Sequence, residues 1–278
     1  MMKKKRTGVL RLLGNLILCL FSFSCVFPMI WIFYSSFKTQ AEFNQSSTAL
    51  PKALDLRNYI SVFTQTDLVT AMGNSFRNTI VSVSGIVILA FMAGYVLSRY
   101  RFRGRGFLYN YFTMGMLIPL HALLVPLYIQ FKQIGLTNHW YTLLFPYIGF
   151  GLPISIMLVE SYVKSIPKEL EEAAAIDGCG FFKTMFRIVL PLAGPILATV
   201  AIIQFFAVWN EFSFALILVS KDTLRTVPVG LTVFKSAYTV DYPRLMAGIL
   251  VTMLPVMILY FSFSKRIIEG MTAGAVKG

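Results

Sequence analysis

The chain has 278 residues, of which 56% are hydrophobic and only 13% charged, and its mean hydropathy is +0.70. A water-soluble domain carries about 25% charged residues, so in water this chain would leave large apolar patches uncovered; lipid is the solvent that fits. The net charge of +13 is not a nucleic-acid footprint, because the basic residues lie between apolar runs instead of clustering on one folded face.

Crossing the hydrocarbon core takes about 20 apolar residues of helix, and continuous rather than alternating apolar runs exclude a barrel. An all-α polytopic membrane protein is therefore predicted, with six transmembrane helices over approximately 12–34, 78–98, 106–131, 139–162, 195–219 and 245–264. The first run follows a basic head, as a signal peptide would, but it exceeds the roughly 7–15 residues of a secretory h-region. It leaves through Trp31 and Tyr34, an interfacial aromatic pair, and reads as an uncleaved span. The loop after it, through about Asn74, is too polar for lipid and too short for a domain. Pro28, Pro119, Pro126, Pro146, Pro153 and Pro255 predict kinked spans, which neighbouring helices tolerate in membranes. No internal repeat is visible, and 1–278 reads as a single transmembrane domain.

Basic residues concentrate on one side of these spans. Lys3, Lys4, Lys5, Arg6 and Arg11 precede the first; Arg99, Arg101, Arg103 and Arg105 follow the second. Lys164, Lys168, Lys183 and Arg187 lie after the fourth, and Lys265, Arg266 and Lys277 after the sixth. That side is expected to be cytoplasmic. It holds both termini, a loop over 164–194 and a tail over 265–278. Cys19, Cys25 and Cys179 show no ligand or disulfide spacing, and His121 and His139 are isolated, so no metal site is expected.

The loop Ser165–Pro191 is the informative segment. Pro167 suits a first helical turn, Lys168–Ile176 is a strong helix-forming run, and Asp177-Gly178 supplies a stop. A second short helix over Phe181–Val189 leads to Leu190-Pro191. Ala173, Ala174 and Ala175 leave part of the first helix almost bare, with Glu171 and Glu172 at its edge. The residues alone leave two readings open: a helix–turn–helix knob for another protein's groove, or an amphipathic loop on the inner membrane surface.

Glu172-Ala173-Ala174, Asp177-Gly178 and Ile188-Val189-Leu190-Pro191 together resemble the "EAA" signature of ABC importer permeases, with Cys179 and Met185 as mild departures. Leu54–Tyr59 with Asn74-Ser75, Ala93–Gly106, Leu117–Tyr128, Trp209–Phe212 and the Glu269–Gly278 tail are similar to the carbohydrate-uptake branch of that family, the tail resembling the end of its six-span maltose-transporter permeases. The resemblance implies a type I ABC importer permease fold and half of a translocation pathway in the bacterial cytoplasmic membrane. It implies a second, different permease, two ATP-binding subunits, an extracellular or periplasmic solute-binding protein and a sugar substrate, with nucleic acid playing no part. Glu171, Glu172, Ala173, Ala174, Ala175, Asp177, Gly178 and Pro191 would couple to the ATPase, and Thr272, Gly274, Lys277 and Gly278 in the tail would touch it. The chain carries no GxxxxGK[ST] loop, so it would be a transport subunit without catalytic residues or cofactor of its own, ATP and Mg being held by the partner ATPases.

Glu211 is the one acidic residue well inside a predicted span, where a carboxylate is costly unless water or a partner compensates. Gln204, Trp209, Asn210 and Glu211 are candidates for a polar substrate path. Glu211 is also open to a structural role at a helix interface or near the outer headgroups. Competing functions are an importer permease for another solute class and a secondary transporter; the latter would call for clustered intramembrane acids.

Overall fold

A computed structural model describes residues 2–235 and 239–275, with side chains described for 11–235 and 239–262. Among the described residues the regular structure is helical, apart from one isolated antiparallel bridge between Lys235 and Val240. Among the described residues four helices are long and apolar enough to cross a bilayer, and two bent helix pairs raise the number to six if each pair is one span. The chain divides into two compact units, Met1–Leu68 with Leu231–Leu254 and Val69–Gly230 with Pro255–Gly278.

The first unit opens with α1 (Met2–Ser35). Over its apolar window none of α1 is buried within the chain, so its side chains are left for lipid or another subunit. The loop beyond it is polar but tightly pinned. Helix α2 (Gln40–Gln45) starts with a capping box between Thr39 and Glu42, which satisfies two of the free N–H groups at its start. Trp31 Nε1 donates to Ser47 O at 2.9 Å, and the buried Lys38 ammonium donates to Ser46 O and Ser47 O. Helix α3 (Arg57–Thr64) buries Val62 in a small cluster with Leu68, Phe234 and Ala247.

The second unit is organised by α4 (Leu68–Arg99) and α7 (Leu144–Ser165). Helix α4 runs ten residues further back than a reading bounded by Arg77 gives. Charge does not end it, because the Arg77 guanidinium lies 5.5 Å from the Trp140 ring centroid and is stabilised by the ring's negative face. The two helices meet closely at Gly94, where a Cβ would lie 2.8 Å from Val159 Cγ1 and 3.0 Å from the backbone nitrogen of Glu160. Around that contact Ile86, Phe91, Tyr95, Ile156, Val159 and Val163 form the core.

Two of the expected spans are broken into separate helices. Residues 106–131 fall on α5 (Arg105–Gly115) and α6 (Leu120–Gln133), which meet at 98°. Pro119 takes extended backbone there; it has no N–H to continue the ladder and biases Ile118 away from helix. Residues 195–219 fall on α10 (Gly194–Trp209) and α11 (Ser213–Leu218), with Asn210–Phe212 outside both. Before α10, the connecting loop contributes α8 (Glu169–Ile176) and α9 (Phe181–Leu192), and α9 meets α10 at 74°. The last span extends through α12 (Tyr242–Ala275).

Candidate functional site: an inner-loop knob

Helix α8 ends in a Schellman motif. Gly178 N–H donates to Ala175 O at 3.0 Å, Cys179 N–H donates to Ala174 O at 2.9 Å, and Gly178 has φ +77°. That left-handed conformation is available to glycine without a Cβ penalty. The chain then reverses into α9, whose Thr184–Val189 stretch is π-helical, with Leu190 N–H reaching Met185 O. Pro191 has no N–H for the Arg187 carbonyl, and a single wide turn is the usual adjustment inside a helix.

The knob has two distinct faces. Glu172, Ala173, Ala175, Ile176, Asp177 and Gly178 are exposed, and Ile176 is 87% exposed at the tip. Ala174 is buried, so the three alanines do not form one open face. Glu171 also turns inward. One of its carboxylate oxygens lies 2.5 Å from Arg99 Nε, and the other accepts from the Tyr95 hydroxyl at 2.9 Å. Arg99 also donates to Ile166 O at 2.8 Å, tying the ends of α4 and α7 to the first turn of α8. On the far arm, Phe181 packs against Tyr95 and Tyr100. Pro191 is exposed in the last turn of α9.

Nearby, Glu160 near the end of α7 is 2% exposed and pairs with Lys164 at 2.5 Å and Arg105 at 3.4 Å. Tyr95 and Arg99 lie inside the Ala93–Gly106 stretch singled out above, but nothing in that stretch says what they bind; they stand four apart, on one face at the end of a span. Glu160 carries no motif.

The four candidates for a substrate path do not converge. Gln204 is buried and its amide donates to Gly151 O and Ser155 Oγ, linking α10 to α7. Trp209 is 3% exposed, stacked on Phe205 and edge-on to Phe76. Glu211 accepts from the Tyr147 hydroxyl at 3.0 Å and from the backbone N–H groups of Phe214 and Ala215. It caps α11 and bridges to α7, the structural alternative that the sequence left open. Asn210 alone among the four is exposed. Thr272 and Gly274 fall in the last turns of α12, while Lys277 and Gly278 lie outside the described residues.

The sequence profile of the family described as "binding-protein-dependent transport system inner membrane component" matches residues 85–271. The chain belongs to that family. This permease is a multi-pass inner-membrane transport component rather than an enzyme. It is 34% identical over 281 residues to the arabinooligosaccharides transport system permease protein AraQ of Halalkalibacterium halodurans, covering 100% of each chain. With the trehalose/maltose transport system permease protein MalG of Thermococcus litoralis the identity is 33%, covering 97% of each. The permease also shares its fold with a chain of a bacterial ABC transporter involved in import of the acidic polysaccharide alginate. The TM-score is 0.83 at 23% identity, over 92% of this chain and 96% of that one.

Proposed function

We propose that the permease forms half of the translocation pathway of an ATP-driven importer of sugars or oligosaccharides. In this reading the knob docks into a cleft of a separate ATPase on the cytoplasmic side, where both termini lie. A second, different permease completes the pathway, two ATPase subunits hold ATP and Mg, and an external solute-binding protein delivers the sugar. The substrate class is supported by the relatives, which are named for arabinooligosaccharide and trehalose/maltose transport. The tail from Thr272 to Gly278 is a further ATPase contact in this scheme.

The observation that carries the docking reading is the outward face of α8. An almost bare turn ends in an 87% exposed isoleucine and a sharp glycine stop. Exposed apolar side chains on a rigid protrusion gain from burial in a partner's groove. ATPase closure would then move the attached helices as a rigid body. Of the polar-path candidates, Asn210 is the one this chain offers to a substrate.

The test is Gly178→Val in the complete importer, reconstituted with both permeases, the ATPases and the binding protein. A β-branched residue at φ +77° costs about 1–3 kcal/mol, enough to weaken docking by at least about 5-fold where docking needs this turn. The variant is expected to insert normally while uptake falls by about that factor and ATP hydrolysis no longer tracks uptake. Wild-type uptake by Gly178→Val would remove the docking reading.

A further inference from the structure

We propose that Glu171 is a transmission latch: it does not touch the ATPase but carries the load from the docked knob into α4 through Arg99 and Tyr95. The inference rests on the docking reading and divides the labour within it. Glu171 and Glu172 are adjacent, yet a 3.6-residue helix turns them about 100° apart. Glu172 is exposed, whereas the Glu171 side chain is 15% exposed and its partner Arg99 only 5%.

Both carboxylate oxygens of Glu171 are engaged inside the chain, at 2.5 Å to Arg99 Nε and 2.9 Å to the Tyr95 hydroxyl. Tyr95 is fully buried. The ion pair is thus shielded from solvent and is screened less than an exposed pair. Arg99 also donates from Nη2 to Ile166 O, the C-cap of α7. One guanidinium therefore joins the ends of two long helices to the first turn of α8. The other arm of the knob closes on the same two turns of α4, through Phe181 on Tyr95 and Phe186 on Phe91. A force applied at Ile176 has a polar path through Glu171 and an aromatic path through Phe181, both ending in α4. Coupling of this kind needs a contiguous element that both sites bias, and Glu171 supplies the link.

The test uses the assembled importer in proteoliposomes, with two readouts: the amount of ATPase retained on the permease, and sugar moved per ATP hydrolysed. Glu171→Ala and Arg99→Gln are expected to retain the ATPase at the wild-type level while sugar per ATP falls at least about 5-fold. The double variant should be no worse than either single one, because both break the same link. Exchanging the pair, Glu171→Arg with Arg99→Glu, should recover part of the ratio. Tyr95→Phe, which removes one hydroxyl and keeps the packing, should lower it about 2-fold; it also decides the matter if the charge variants fail to assemble. Loss of the ATPase from Glu171→Ala but not from Arg99→Gln would make Glu171 a direct contact and overturn the latch. So would an unchanged ratio in Tyr95→Phe and the charge variants. Failure of the docking reading itself would look different: Ile176→Asp would then keep both the ATPase and full uptake.

Discussion

Two segments attract attention for the same reason, polar or bare residues next to apolar spans, and they turn out oppositely. The knob from Glu169 to Leu192 points its middle outward, with Ile176 at the tip and Ala173 and Asp177 beside it. In the stretch from Gln204 to Glu211 three of the four candidates are claimed inside the chain, with Gln204 bonded to α7, Trp209 packed between rings and Glu211 capping α11, and Asn210 alone is exposed. A polar residue in a loop is free to serve a partner. The same residue at membrane depth is first claimed by the nearest unsatisfied backbone group.

That contrast can be broken most forcefully at Gly151, the point where α7, α4 and α10 come together. A Cβ there would lie 2.5 Å from Ile86 Cδ1 and 2.8 Å from Gln204 Oε1. Gly151→Leu is expected to destabilise the permease by about 1–3 kcal/mol, read as lost yield and a lower melting temperature in detergent. Gln204→Leu should have a smaller effect, roughly 0.6–1.7 kcal/mol for a lost interhelical hydrogen bond. Its apparent affinity for the transported sugar should stay at the wild-type value; a changed affinity would put Gln204 on the path instead. Glu211→Gln should matter least, about 0.5 kcal/mol from a weakened helix cap, because the amide oxygen can still accept from Tyr147. Sugar uptake by that variant should remain within about 2-fold of wild type.

The helical spans were legible because an apolar run of sufficient length has few alternatives in lipid, and the knob was legible because its helix formers, Asp177-Gly178 stop and Pro191 are local signals. Local signals fix the turn at Gly178 but not which of Glu171 and Glu172 faces the bundle; that depends on Arg99 and Tyr95, more than seventy residues away in sequence. The break at Asn210–Phe212 was not legible for a related reason. No glycine or proline marks it, and what stabilises it is the Glu211 carboxylate with Tyr147 of α7. Pro119 did mark the 98° bend, but proline inside an apolar run is also compatible with a gentle kink. The start of α4 was hidden because Arg77 reads as a span boundary until Trp140 is seen beneath it.

Proximity at the knob's tip tests the account most directly. In a permease whose Cys19, Cys25 and Cys179 are replaced by serine, Ile176→Cys can be labelled with a short thiol-reactive photo-crosslinker, which inserts on illumination into whatever lies beside it in the assembled importer. Specific crosslinking of residue 176 to an ATPase subunit, with a yield that changes on adding nucleotide, is the predicted result. No crosslink in an importer that still moves sugar, or transport that persists after the ATPase is stripped away, would contradict it.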